Sequence, residues 1–473
     1  MGPSKCLSLT LIGCLGILLL LPHFREGDCV ADVQPFRGLR YNPEQIDDFS
    51  TVISPPYDVI SSEEQRFYHD KSQHNVIELE FGLELPADSA QNNKYIRAAT
   101  TMESWLRDCI LIREQHPAFY LVRHHFLFQN RPRSRFSLLA RVRLEDLDTG
   151  HIRPHEMTMR GPAIGRYRLL QLCRANFSPV MGLFRHEGRG IRVLFDDAPL
   201  DKPAFSAVGD NGVAYDVWAV CDQETIARVT QFFADKTIYI ADGHHRYETA
   251  LAYREEQCSL HSSYTGQEGF NFVMMTLTDA QDPDLVMFPT HRLVRGLRRE
   301  RMAKLEERLS TYFYVQELVP SLNSPAETLE SWLGVLGSRG QKGTTFGLYG
   351  LHGRRLCLLG AREEGDLRDM MLLDWPTPLK DLDVSLLHWV ILPRMLGIDS
   401  AEKEESCLAY TRDGLEALSG VDSGLYQLAF LLNPAPIASV LAVADAGLRM
   451  PPKSTYFHPK TPTGLVINPL WDE

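Results

Sequence analysis

Apolar and polar positions change period along the chain, and each change marks a predicted element. Residues 94–110 place Ile96, Met102, Leu106 and Ile110 at helical spacing, whereas 118–128 (AFYLVRHHFLF) and 136–144 read as strands. A helix is expected over 166–175. The middle is the clearest stretch. It predicts a strand at 212–220 (GVAYDVWAV), a helix at 223–234 with Ile226, Val229, Phe232 and Phe233 on one side, and a short buried strand at 237–241. Asp242-Gly243 then makes a turn, and a helix opens at His244 or His245 and runs to about Glu256. Further strands are predicted at 270–277 and 312–317, with a charged helix from Arg298 between them. A hairpin pairs 344–349 with 356–359 across the turn 350–354, and helices follow at 385–396 and 414–418. Residues 450–470 are proline-rich and aperiodic, yet carry several polar groups.

Elements mixed in this order predict an α+β fold, and 473 residues predict two to four lobes at roughly 100–200 residues each. The expected divisions are a hydrophobic leader at 1–29, an N-terminal α+β lobe at 30–205, a core at 206–297, and a C-terminal α+β lobe with a basic tail at 298–473. Charge narrows the function. With 49 basic against 61 acidic residues the net charge is −12, which argues against wholesale binding to nucleic acid or anionic membrane. A local basic pocket for a small anion stays open. Nine cysteines, none in a C-x-x-C pair, exclude a disulfide scaffold, a zinc ribbon and a thioredoxin-type motif. The oligomeric state is not legible.

The leader contradicts this soluble picture. After Lys5, residues 7–21 carry no charge, a run of 15 that is short of the roughly 20 needed to span a bilayer but right for a signal peptide. Cys29-Val30-Ala31 is a weak cleavage site. Residues 11–14 resemble a lipobox, but the apolar run continues past Cys14. Met1-Gly2 has Cys6 where a myristoylation signal needs Ser or Thr. The organised sequence begins at Val30, and a valine codon can initiate translation in bacteria. The expectation is therefore a mis-called start and a cytoplasmic protein, the alternative being export or anchoring through 1–29. Without the leader, six singly scattered cysteines remain, as suits reduced thiols.

Candidate chemistry centres on Asp242, Gly243, His244, His245 and Arg246. A strand ends, glycine permits a tight turn, and a helix begins with its N–H groups free for an anion. Two imidazoles and a guanidinium add donors, and Arg246 can grip a phosphate bidentately. Asp242 is an N-cap or the ligand of a metal ion carried with a nucleotide. The plainer alternative is a capped helix with two surface histidines. There is no G-x-x-x-x-G-K-[ST], no strand-linked G-x-G-x-x-G and no H-E-x-x-H, so those sites are unsupported. Three further places combine polar groups with prolines. In one loop, His155 and Glu156 stand beside Thr158, with Glu156 the candidate general base. His291 and Arg292 repeat the imidazole–guanidinium pairing, and the tail holds Lys453 and Lys460. Each is equally readable as a solvated loop or structural strap. Together they predict one convergent basic pocket.

The same residues carry a resemblance. The stretches 31–41 (ADVQPFRGLRY), 55–59 (PPYDV), Pro154-His155-Glu156 with Thr158, Ser178-Pro179-Val180, 241–250, Pro289-Thr290-His291-Arg292, Pro452-Lys453-Ser454-Thr455 and Pro459-Lys460 resemble the bacterial and archaeal family called domain of unknown function 1015. The resemblance runs from Val30 to the C-terminus and leaves the leader outside. The 242–246 turn also resembles the sulfiredoxin/ParB-like fold, a group that includes ADP- or ATP-dependent free-serine kinases and ParB-type nucleotide-binding domains. That resemblance implies nucleotide phosphates at Asp242, Gly243, His244, His245 and Arg246, with serine or phosphoserine as substrate. One departure matters: many relatives have an acidic-basic pair where this chain has Gly165-Arg166. Glu156 is then the expected base and Glu224 the reserve.

The expectation is a sulfiredoxin/ParB-like core in a larger α+β body. Its function is phosphoryl transfer between ATP or ADP and a small hydroxyl substrate, in the kinase or phosphatase direction, with Mg²⁺ bridging the phosphates. Glu156 would take the hydroxyl proton, His244 and His245 would stabilise developing charge, His155 is a further catalytic candidate, and His291, Arg292, Lys453 and Lys460 would add to the phosphate site. The alternative is a nucleotide-binding regulatory module with little turnover.

Overall fold

Alternation along residues 118–143 builds the long hairpin that anchors the larger sheet. The computed structural model describes residues 31–471 apart from 148–149, 159–162, 199, 262, 321–323, 363–375 and 381, so the leader and its start-site or signal readings lie outside the described residues. The sheet's nine strands are β1 (Val33–Gln34), β2 (Phe119–Phe128), β3 (Arg131–Arg143), β4 (Ile152–Pro154), β5 (Val180–Phe184), β6 (Phe205–Val208), β7 (Ala214–Val220), β8 (Ile238–Asp242) and β9 (Phe272–Asp279). They lie in the order β4-β8-β5-β9-β3-β2-β7-β6, with β1 beside β3. Between β2 and β3, Gln129 and Asn130 take φ of 50° and 56°, the two left-handed residues that a tight hairpin turn requires.

The sheet crosses the expected boundary at 205/206, since β7, β8 and β9 pair with strands of the N-terminal segment. Helices pack on both faces, the one at Lys94–Arg107 burying Met102 and Trp105 beside Tyr120, Val122 and Tyr215. Helix α1 (Gln223–Phe233) is capped by Asp222, whose carboxylate accepts from the Thr225 amide at 2.8 Å, and buries Val229 and Phe233. It crosses from β7 to β8, and α2 (His244–Leu260) follows directly, so the expected helix–strand–turn–helix order is present. Alternation along β8 then sorts its two faces. Ile238 and Ile240 pack with Phe233, Tyr247 and Ala250, while Tyr239 and Ala241 pack with Val440, Leu441 and Met450 of the C-terminal lobe.

A second sheet organises that lobe, from β10 (His291–Val294), β11 (Phe313–Leu318), β12 (Thr345–Tyr349), β13 (Leu356–Ala361), β14 (Leu408–Thr411) and β15 (Leu428–Leu431) in the order β11-β13-β12-β15-β10-β14. The predicted helix at 385–396 is a short α-helical turn followed by wide π turns over Leu387–Leu396, with Pro393 inside. The aperiodic tail is a strap. Tyr456–His458 pairs with Val286–Phe288, Thr463 bridges Ser54, Ile467 bridges Leu39, and Asn468–Pro469 pairs with Ala175–Asn176. It thereby carries Lys460 from the C-terminal lobe back onto the larger sheet's lobe. The whole is an α+β fold of several sheets.

Candidate functional site

The turn after β8 is shaped by one extra residue and one glycine. Ile240 stands opposite Gly182, but the next pair is Asp242 with Met181, so β8 bulges between them. A bulge re-aims the side chain that follows it, here that of Asp242. Gly243 then takes φ +86°, and a Cβ there would lie 2.9 Å from Arg246 Nε. Glycine alone allows both the left-handed backbone and the close guanidinium. Helix α2 starts at His244, which places its positive end at the same point.

Charges of alternating sign meet around that end. Arg246 donates to Asp242 Oδ2 at 2.6 Å and to the Pro179 carbonyl. Lys460 Nζ lies 2.7 Å from Asp242 Oδ1 and 2.7 Å from Asp58 Oδ2, with its side chain 8% exposed. Burial works to raise the Asp58 carboxyl, but Lys460, Arg246 and Lys453 outweigh it and hold the group well below the usual carboxylate range. Burial likewise opposes the Lys460 charge, and Asp242 and Asp58 reverse that effect, holding its pKa above the ordinary value. Nearby, buried Glu80 accepts from Arg166 at 2.7 Å and from Ser178 at 3.2 Å. The Arg166 guanidinium stacks 3.8 Å from the Tyr57 ring centroid. Burial raises the Glu80 carboxyl against the pull of Arg166 and Arg246. The acid paired with this arginine is thus Glu80, from another element.

The expected basic pocket is therefore charge-matched: Arg166, Arg246 and Lys460 face Glu80, Asp242 and Asp58. Asp58 and Glu80 were not among the sequence candidates. Asp58 lies in the 55–59 stretch, where its spacing gives no hint of Lys460, 402 positions away. Glu80 carries no local signal.

His155 and His244 are brought together, their ring centroids 4.9 Å apart. The carbonyl of Ile240 fixes His155 by accepting from Nδ1 at 2.7 Å, which leaves Nε2 to accept from the Thr455 hydroxyl at 2.9 Å. Burial depresses His155 to about 4 and lowers His244 well below its ordinary value, so both are neutral at pH 7. His245 sits half-buried in the first turn of α2. Glu156 accepts from the Lys453 and Ser454 amides at 3.0 and 3.1 Å, with its carboxyl raised by burial against those two contacts. Lys453 thus meets Glu156 through its backbone, at φ +58°.

His291 and Arg292 are buried in β10. His291 Nδ1 accepts from the Leu432 amide at 3.2 Å, and burial brings its pKa down to about 4. Arg292 donates to the carbonyls of Thr290 and, at 3.1 Å, Lys453. Both act on the scaffold and on the strap. Arg135, which the sequence reading passed over, is 1% exposed and donates to the carbonyls of His458 and Pro459 at 3.0 and 2.8 Å. Glu224 is not brought to the turn. It is exposed in the first turn of α1, which leaves β7, five places from β8 in the sheet.

Mg²⁺ is normally held by one or two carboxylates together with substrate phosphates. As arranged, both oxygens of Asp242 are engaged by cations, and the Lys460 ammonium stands between the two nearest carboxylates. Among the described residues no group of three or more metal-ligating side chains occurs. The arrangement does not fit a protein-held divalent ion.

Lys460 also lines a cleft of about 560 Å³, whose walls include Pro56, Tyr215, Phe288, Arg412 and Tyr456. That volume and aromatic lining suit a small-molecule site. Arg412 stacks 3.9 Å from the Tyr456 centroid.

Among solved structures, a free serine kinase in complex with AMP is similar at TM-score 0.33 and 12% identity, over 65% of this chain and 83% of that one. A conserved hypothetical protein from Pyrococcus furiosus is similar at TM-score 0.32 and 12% identity, over 66% and 90%. C-terminally truncated SbnI from Staphylococcus aureus is similar at TM-score 0.32 and 11% identity, over 70% and 87%. No curated protein matches the chain. The profile described as protein of unknown function (DUF1015) matches residues 33–385, three quarters of the chain, and the protein belongs to that family.

Proposed function

We propose that the protein transfers a phosphoryl group between a nucleotide and a small hydroxyl substrate, serine or phosphoserine being the first to test. One observation carries the reading. Lys460 lines the aromatic cleft and, through the same ammonium, touches Asp242 at the start of α2. A nucleotide lying along this line stacks its base on Tyr456 or Phe288 and directs its phosphates toward Lys460, Arg246 and the helix end. The phosphate then takes over cations that Asp242 and Asp58 now share. In the kinase direction, the substrate hydroxyl oxygen bonds to the terminal phosphorus as the bond to the leaving nucleotide breaks. Glu156, made more basic by burial, takes the hydroxyl proton, and Arg246 and Lys460 stabilise the charge on the transferring group. With water as acceptor the same groups serve a phosphatase. Neutral His155 and His244 position the loop and the start of α2.

A second reading is favoured by the complete pairing of the ionic groups. A nucleotide that only rearranges these pairs would shift the strap that carries Lys460 without turnover, as in a regulatory module. Phosphorus NMR of the protein with ATP or ADP plus serine, and separately with phosphoserine, distinguishes the two. Phosphate movement is expected in at least one mixture. Bound nucleotide with no movement in either supports the regulatory module and rejects the enzyme.

A further inference from the structure

Counting charges around each cavity separates them. The cleft at Lys460 sets Arg412 and Lys460 against Glu64, Asp210, Asp413 and Glu416. A second cavity, of about 1130 Å³ in the C-terminal lobe, is lined among the described residues by Arg339, Lys342, Arg362 and Lys380 against Asp383. Four cations to one acid is a local reversal in a chain of net charge −12.

The cations come from separate elements. Arg339 lies near the end of the helix Pro325–Gly340 and Lys342 just beyond it. Arg362 follows β13, and Lys380 ends the short helix Thr377–Lys380. Arg362 stacks 4.6 Å from the Tyr314 centroid, which presents its guanidinium as a fixed plane. Asp383 draws hydrogen bonds from the Thr345 amide, Asn433 and Thr344, so polar groups already satisfy the one acid in the wall. Pro434, Ala435 and Pro436 form another part of the rim and lead into the nine-residue helix Ile437–Asp445. That helix has no side-chain cap and no acid in its first turn, which leaves its positive end uncompensated by its own residues.

We propose that this cavity binds a small organic phosphate, independently of any nucleotide at the 242–246 turn. Among the described lining residues Tyr314 is the one aromatic side chain, so a nucleobase finds little there to stack on. Guanidinium and ammonium donors from Arg339, Arg362 and Lys342 suit a dianionic phosphate carrying a short hydroxylated body. Thr290 and Ser454 also line the cavity. The amide of Ser454 is held by Glu156, so an occupant bears on the strap that delivers Lys460.

The test is calorimetric titration of the full chain with glucose 6-phosphate, inorganic phosphate and ADP. Glucose 6-phosphate is expected to bind wild type and Arg246→Ala alike, and to lose about tenfold or more in affinity with Arg339→Ala and with Lys342→Glu, since each removes a charge-assisted contact. Arg339 and Lys342 are exposed, so unchanged urea midpoints are expected to show intact folds. Inorganic phosphate binding without glucose 6-phosphate binding would overturn the organic-ligand assignment. Unaltered affinity in both cavity variants, loss with Arg246→Ala alone, or no binding of either phosphate to wild type at millimolar concentration would each overturn the site.

Discussion

Replacing Lys460 by methionine removes the ammonium and keeps most of the side chain's volume. The ammonium lies 2.7 Å from both Asp58 and Asp242 behind an 8% exposed side chain, so the variant leaves two partly exposed carboxylates facing each other. Removing one partner from a fully buried pair costs about 3–5 kcal/mol, and solvent access to both carboxylates lowers the expected loss here to about 1–3 kcal/mol. The sign of the pH dependence follows. In the wild type the Asp58 pKa is depressed, so its stabilising contribution is present above the unfolded value and is lost as pH falls through the folded one. Without Lys460, burial dominates and raises the Asp58 pKa above its unfolded value. The variant then loses stability as pH rises through the interval between unfolded and folded values. The difference between variant and wild type is therefore expected to be larger at pH 7 than at pH 4.5. Urea unfolding of both proteins at the two pH values measures it. A loss below about 1 kcal/mol at pH 7, or an equal loss at both, refutes the assignment of Lys460 as the central cation.

Other perturbations test the neighbouring contacts. Gly243→Ala forces a left-handed alanine and a Cβ 2.9 Å from Arg246 Nε, so ADP binding is expected to weaken together with a loss of about 1–2 kcal/mol in urea unfolding. Glu156→Gln turns an amide N–H₂ toward one of the Lys453 and Ser454 amides. It is expected to lower phosphoryl transfer by about 10²-fold or more while ADP still binds, measured by phosphorus NMR and calorimetry. Arg135→Met strips two donors from the strap and is expected to destabilise by about 2–4 kcal/mol and to weaken ADP binding without touching the turn. Burial holds His155 near 4, well below its unfolded value, so the unfolded chain takes up that proton first. Stability is expected to fall as pH drops from about 6.5 toward 4, by up to about 3 kcal/mol from this residue, and His155→Gln should flatten that part of the profile.

The legible part of the fold was the part written in local periodicity. Helix α1, strand β8, the glycine turn and helix α2 fall within 38 consecutive residues, each with its own apolar spacing, and they occur where that spacing places them. The strap was not legible, because its strands pair with residues hundreds of positions away and alternation over three residues is no signal. The same distance hid the electrostatics. Lys460 reads as an uncompensated cation along the chain, and Asp58 and Asp242 close on it only in three dimensions, whereas Arg246 and Asp242 stand four residues apart. Arg135 is one of three arginines in residues 131–135, and Glu80 follows Glu78 by two, so neither stands out until burial and partners are known.

The account rests on the 242–246 turn being a phosphate site, and calorimetric titration of ADP into wild type, Arg246→Lys and Arg246→Ala tests this most directly. Loss of the guanidinium's two charge-assisted donors is expected to lower ADP affinity about 100-fold or more in Arg246→Ala, with Arg246→Lys intermediate. Equal affinity in all three proteins would show that Arg246 serves only to brace Asp242 and Pro179, and would contradict the account.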